Sequence, residues 1–288
     1  MKAILLAAGI GKRMGPDAPP KCLLTVQGRS LLQRTLEALH SVGIDQGVIV
    51  VGFKKEEVAS HVRGSAGPIR VVLLENPRYS EGAILSLWSA RAHFDDDLLI
   101  MDSDVLSPPV FLERLVRSAK RNCLLVDGSC ADTGEEQIVL GHGDRVLTIT
   151  KRPSQELRSQ MTSFGESVGF LKLSRQAAGV LRELVEKKIA SGVVQIEHEQ
   201  LYPELFQREQ VGFERVDGLP WIEIDTPEDL RRAEEEILPR WEPPTCLNRM
   251  IARRFFPTIL KLPVTPNQWT FVSFLFGLAS LDMLAQGG

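Results

Sequence analysis

The chain has 288 residues, 43% hydrophobic and 25% charged, which supports a sizeable packed core and argues against a mainly disordered chain. Its 34 Lys and Arg against 37 Asp and Glu leave a net charge of −3, with no chain-wide positive field to grip nucleic acid. The four cysteines, Cys22, Cys123, Cys130 and Cys246, lack CxxC spacing, which points away from a zinc ribbon or a dense disulfide framework and toward reduced thiols.

The N-terminal stretch Met1–Gly9 is apolar only briefly before glycines and charges, a poor secretory signal and a good buried strand. Nearly continuous apolar runs at Ala3–Ala7, Val48–Val51, Val71–Leu74, Leu98–Met101 and Leu124–Val126 predict strands covered on both faces. Helical spacing predicts helices over Ser30–Ser41, Lys54–Arg63, Ala83–Ala92 and Pro108–Ala119, with Ser30 and Ser107 as caps. Such alternation builds a parallel sheet with helices on both sides, so a three-layer α/β domain is expected. Further on, Gln137–Leu140, Val146–Thr150 and Val168–Leu173 read as strands, with a turn at Gly141–Asp144 that makes a hairpin beside the sheet. A helix over Arg175–Ala190 carries Ala178, Leu181, Leu184 and Val185 on one face, and strands follow at Val211–Val216 and Trp221–Ile224. Thr226 before Pro227, with an acidic first turn, marks a last helix through Ile237.

Beyond it, residues 238–247 form a proline-rich linker and the expected domain boundary. Residues 248–288 open with Arg249, Arg253, Arg254 and Lys261 and continue into a mostly apolar run, Trp269–Ala285. At about 1.5 Å per residue that run reaches only about 25 Å against a hydrocarbon core of ~30 Å, a marginal span with a basic flank suited to a cytoplasmic membrane face. From Pro239 onward five basic residues stand against two acids, so the tail is basic and the rest of the chain acidic.

The segment that carries most chemistry begins at Leu6, Ala7 and Ala8, passes Gly9, Gly11 and Arg13, and continues to Pro19, Pro20 and Lys21. A buried strand emptying into a glycine loop lets backbone N–H groups approach a triphosphate while the cations neutralise it. A dinucleotide fingerprint would need glycine where Met14 stands, and a P-loop would need a hydroxyl after Gly11-Lys12. The cluster Glu197-His198-Glu199 reads as an exposed polar helix face, because adjacent helical residues cannot converge on one ion.

The loop resembles the signature loop of the nucleoside-triphosphate transferase family that makes nucleotide-activated sugars and alcohols, in which the residues matching Arg13 and Lys21 bind the triphosphate. Other features agree in order along residues 1–237. Glu81–Leu87, with Gly82 and Ser86, resembles the segment that touches the pyrimidine in choline-phosphate-type cytidylyltransferases. Met101-Asp102-Ser103-Asp104 is similar to the segment bearing the metal aspartate. Gly165–Gly169, with Glu166, resembles the family's substrate-side segment, and Trp221–Asp229 its late motif with a second metal carboxylate, Asp225. Lys151 resembles the substrate-phosphate lysine, although Thr150 replaces the usual glutamate and Arg152 intervenes. The resemblance implies a Rossmann-like mixed sheet of the nucleotide-diphospho-sugar transferase type. Independently, Mg²⁺ favours one or two carboxylates plus substrate phosphates, which Asp104 and Asp225 could supply; Asp102, deeper in its strand, is expected behind them on the nucleotide side.

Leu247–Arg249 and Pro263–Thr270 resemble the entry to a CDP-alcohol phosphotransferase, whose later catalytic aspartates do not follow before Gly288. The expectation is therefore the front of a fused protein of the inositol-1-phosphate cytidylyltransferase/di-inositol-phosphate-phosphate synthase kind. It would be an Mg²⁺-dependent enzyme taking CTP and a small phosphorylated alcohol, tethered through residues 248–288 and able to oligomerise. A sugar-1-phosphate nucleotidyltransferase would use the same residues, and a membrane-tethered nucleotide-binding module without turnover is the alternative of another class.

Overall fold

A computed structural model of the chain describes residues 1–242 apart from 66, 131 and 132. The elements run β1 (Lys2–Ala7), the short β2 (Thr25–Val26) and β3 (Arg29–Ser30), α1 (Leu31–Ser41), β4 (Gln46–Val51), α2 (Lys55–Ser65), β5 (Arg70–Glu75), α3 (Ile84–Ala90), β6 (Leu98–Asp102), β7 (Val105–Leu106) and α4 (Val110–Arg117). They continue with β8 (Cys123–Asp127), β9 (Ile138–His142), β10 (Arg145–Thr150), α5 (Gln155–Gln160), β11 (Thr162–Leu173), α6 (Arg175–Ala190), α7 (Tyr202–Arg208), β12 (Gly212–Arg215), β13 (Ile222–Glu223) and α8 (Pro227–Arg232).

One mixed sheet carries the order β10-β9-β11-β6-β1-β4-β5, with β8 on β11 and β12 on β8. The β1, β4, β5 and β6 pairings are parallel, whereas β11 runs antiparallel to β6, β8 and β9. Side chains of β1 alternate between the faces: Ile4 joins Leu85 of α3 and Leu181 of α6, while Leu5 joins Leu36 of α1 and Phe111 of α4. Each fully buried leucine or phenylalanine of this kind contributes roughly 1.5–3 kcal/mol, so both helical layers are bound to the sheet by apolar area. The chain leaves β1 toward β4 and β5 on one side and returns to β6 on the other, which opens a crevice at the carboxyl ends of β1 and β6.

Local signals explain many of the boundaries. Ser30 Oγ accepts the Gln33 N–H at the start of α1, and Thr226 and Asp229 cap α8 reciprocally behind Pro227. The last helix continues past Arg232 as a π turn, Ala233–Ile237. The expected hairpin is β9 and β10, with β11 joining it to the sheet.

Two expectations are corrected. Val71–Leu74 is not covered on both faces: β5 is the terminal strand, and Val72 is 44% exposed. Ser107 does not cap α4, which begins at Val110 without a side-chain cap. Pro108 and Pro109 hold the entry conformation with fixed φ, and the Phe111 N–H donates directly to the Pro108 carbonyl. Met1–Trp241 forms one compact unit. The expected linker beyond residue 242 and the basic, membrane-associated segment 248–288 lie outside the described residues, among which no helix is long and apolar enough to cross a membrane.

Candidate active site

The crevice is a cavity of about 610 Å³, and each candidate nucleotide-, substrate- and metal-binding residue named from the sequence lines it. From β1 come Leu6, Ala7 and Ala8, followed by Gly9, Gly11 and Arg13; Lys21 reaches in from the turn after Pro20. Gly11 has φ +64°, and a Cβ there would stand 3.0 Å from Lys21 Cγ, so the lysine stem lies against bare backbone.

Lys21 Nζ donates to Asp104 Oδ2 at 2.7 Å and also to Asp225 Oδ1, while Arg13 donates to Asp225 Oδ2. Burial opposes the lysine charge, but Asp104 and Asp225 more than offset it, and the pKa is raised above the ordinary lysine value. Two short strands bring these distant carboxylates together. Val105 pairs with Glu223 and Leu106 with Ile222, and the Ile224 N–H donates to the Asp104 carbonyl at 2.9 Å. Beneath them Cys22 is buried, and lost hydration together with Asp104 pushes its thiol up to about 12, so it is no nucleophile at neutral pH.

The ribbon also delivers Glu223, which sequence reasoning missed. Oxygens of Asp104, Glu223 and Asp225 all lie within 4.8 Å of one another. Lost hydration, then Asp104 and Asp225, push the Glu223 pKa up to about 8. Carboxylate oxygens alone, crowded around a bridging ammonium, are the donor set a hard divalent cation such as Mg²⁺ takes. Glu223 and Asp225 stand two apart in an extended segment and so share a face, which is the signal that could have found it.

The opposite wall centres on Asp102. Its Oδ1 meets His198 Nε2 at 3.0 Å, and His198 Nδ1 meets the Tyr202 hydroxyl at 3.1 Å. The reading of Glu197-His198-Glu199 as an exposed polar helix face is therefore wrong: His198 is 8% exposed, and a capped 3₁₀ turn rather than an α-helix turns all three residues to the cavity. Burial lowers the His198 pKa, but Asp102 more than compensates, and it stands at about 9. Gly169 has φ +83°, and a Cβ there would come 2.5 Å from Asp102 Oδ2, so only glycine admits the carboxylate.

Lys151 follows β10 into the same wall, and its charge acts on Glu199, whose pKa burial nevertheless raises to about 7. The intervening Arg152 donates to the Gly134 carbonyl and Glu135 at 3.0 Å, away from Lys151. Burial, then Glu136 and Asp127, raise Glu166 to about 7. On the remaining side Gly82 packs so tightly on Val194 that a Cβ would overlap its carbonyl, and Ser86 presents its hydroxyl from α3. Of the aromatic residues Tyr79, Trp88, Tyr202 and Trp221, Tyr79 lines the cavity; Tyr202 is bound to His198, Trp221 donates to Asp127, and Arg91 covers Trp88.

A doubly covered mixed sheet with a cationic glycine loop and a carboxylate cluster at its switch point defines a nucleotidyltransferase fold. The chain belongs to the MobA-like NTP transferase domain family, which matches residues 3–201. It is 33% identical over 297 aligned residues to the "Bifunctional IPC transferase and DIPP synthase" of Rubrobacter xylanophilus, covering 99% of this chain and 64% of that protein. The chain thus spans less than two thirds of that relative's length. Among solved structures it is similar in fold to the CTP:phosphocholine cytidylyltransferase of Streptococcus pneumoniae, with a TM-score of 0.65 and 24% identity over 81% of this chain and 97% of that one. The inositol-1-phosphate CTP transferase of T. maritima is similar too, at TM-score 0.65 and 19% identity over 82% and 97%.

Proposed function

We propose that residues 1–237 transfer the cytidylyl group of CTP to a small phosphorylated alcohol, with inositol 1-phosphate favoured, and release pyrophosphate. The observation that carries this reading is Lys21 Nζ held between Asp104 and Asp225 beside a glycine loop, a cation and carboxylates arranged at one anion-binding turn. The choice of CTP and of the alcohol is carried over from the named relatives.

In the reaction, backbone around Gly9 and Gly11 faces the triphosphate, and Lys21 and Arg13 move from the carboxylates to its oxygens. Asp104, Glu223 and Asp225 would hold Mg²⁺, which supplies charge neutralisation for the triphosphate. Lys151 orients the incoming phosphate, while Glu166 and the backbone at Gly169 face the alcohol. An oxygen of that phosphate attacks the α-phosphorus in line, the new P–O bond forming as the α–β bridge bond breaks. Two anions must meet, so positioning and neutralisation supply the acceleration, and no nucleophilic side chain takes part. The basic, apolar segment from residue 248 would hold this site at the cytoplasmic face of a membrane.

Pyrophosphate release is the test, using each of the four triphosphates with Mg²⁺ and inositol 1-phosphate, glycerol phosphate, phosphocholine, phosphoethanolamine or a sugar 1-phosphate. Release with CTP and inositol 1-phosphate is expected. Release with no pair overturns the reading, and release only with UTP or dTTP overturns the choice of CTP.

A further inference from the structure

Asn76 is a polar side chain only 1% exposed, and none of the steps above uses it. It follows β5, where its N–H donates to the Val51 carbonyl at 2.8 Å. Its Oδ1 accepts the Arg78 backbone N–H at 3.0 Å. A backbone N–H can only donate, so the amide oxygen must lie on that side and the amide nitrogen on the other. That nitrogen faces Ser86 and donates to its Oγ at 3.2 Å. A hydroxyl has one proton to give; because Asn76 supplies the proton of this bond, that of Ser86 is left for another acceptor. One turn further along α3, Ser89 spends its proton on the Leu85 carbonyl. Among the described residues no acceptor is paired with the proton of Ser86, whose side chain lines the cavity beside Gly82.

We propose that Asn76 is a positioning residue for nucleobase selection: its amide sets the Ser86 hydroxyl as a hydrogen-bond donor to the base. This inference rests on the proposed function, which puts the nucleobase at Gly82 and Ser86. A donor there suits the cytosine ring nitrogen N3, which accepts, and opposes uracil, whose N3 carries a proton. The direction of one backbone N–H, at Arg78, thereby reaches the base through two side chains.

Equilibrium binding of CTP and of UTP to the full chain tests this, with thermal melts to verify folding. Asn76→Asp keeps the shape and still accepts the Arg78 N–H, but an ionised carboxylate cannot donate to Ser86, which must turn its proton away from the base. Asn76→Ala removes the donor without adding charge. The parent is expected to prefer CTP over UTP by about tenfold, the worth of one matched hydrogen bond, with Asn76→Asp, Asn76→Ala and Ser86→Ala each losing most of that preference. In the Ser86→Ala background neither Asn76 variant should change the ratio further, because Asn76 acts through the hydroxyl. Full CTP preference in both Asn76 variants overturns the proposal. A further change in the ratio in the Ser86→Ala background overturns it as well. A parent that binds neither triphosphate overturns the proposed function itself, a different result from an unchanged ratio.

Discussion

On the loop wall of the cavity, Lys21 and Arg13 meet Asp104 and Asp225 as ion pairs, so opposite charges stand within hydrogen-bond reach before any ligand arrives. On the facing wall Glu166 and Glu199 line the cavity together with Lys151 and His198, and burial raises both carboxyls to about 7, where they can hold protons. The two walls suit different chemistry. Ion pairs can be exchanged for phosphate and a divalent cation at little net cost, since each charge finds a new partner. A carboxyl that keeps its proton near neutral pH both donates and accepts, which matches the hydroxyls of an alcohol better than it matches a second anion.

Removing the cation that bridges the loop wall should have the largest effect. Lys21→Met leaves Asp104 and Asp225 facing each other and deprives the triphosphate of its buried ammonium, and turnover should fall by about 10²–10³-fold in a steady-state pyrophosphate assay. Melting with and without Mg²⁺ gives a second readout. Without a competing ammonium, Mg²⁺ should raise the melting temperature of Lys21→Met more than that of the parent. An equal rise in both would show that Lys21 does not occupy the carboxylate cluster.

The loop wall was largely legible in the sequence and the facing wall only in part, for a physical reason. Lys21, Arg13 and Gly11 sit within one stretch that follows a strongly apolar strand, so local pattern places them; Ser30, Thr226 and the helix Arg175–Ala190 were legible on the same ground. Asp225 was found through the likeness of Trp221–Asp229 to the family's late motif, yet Glu223 in the same stretch was not, because β7 and β13 are two residues each and no local pattern shows which carboxylates their pairing brings together. His198 depends on Asp102, 96 positions away, and a helical reading of its neighbours turned it outward. The exposure of Val72 reflects strand order, and a run of apolar residues does not reveal which strand ends the sheet.

Glycine substitutions on the two walls should separate them next. Gly11→Ala and Gly169→Ala both force a side chain into left-handed backbone, a cost of about 1–2 kcal/mol for either. On the loop wall the new methyl meets Lys21 Cγ at 3.0 Å, part of a flexible chain that can give way. On the facing wall it meets Asp102 Oδ2 at 2.5 Å, and Asp102 is bound to buried His198. Gly169→Ala should therefore melt lower than Gly11→Ala, at about 2–4 °C for each further kcal/mol. Equal melting temperatures would mean that Asp102 is free to move.

The smallest effect tests the protons of the facing wall. Lost hydration, with Glu136 and Asp127, raises the Glu166 pKa from its ordinary 4.5 to about 7 in the folded chain. The native state then binds the proton more tightly than the unfolded state, so this stabilisation is complete below 4.5 and is lost as pH rises through about 7. His198 works in the same direction over a later window, from 6.5 through about 9, so the parent should lose stability across both. Glu166→Gln removes the contribution of Glu166 alone, because Glu199 and Glu223 keep their raised values in both proteins. Its melting temperature should match the parent near pH 4.5, rise above it between there and pH 7, and stay higher at pH 8 by about 2–4 °C if about 1 kcal/mol is relieved. The difference between the two melting curves should level off above pH 7, because His198 titrates in both proteins. A difference that is flat from pH 4.5 to 8 would mean that Glu166 ionises as an ordinary surface glutamate, and the contrast between the walls would lose its electrostatic basis.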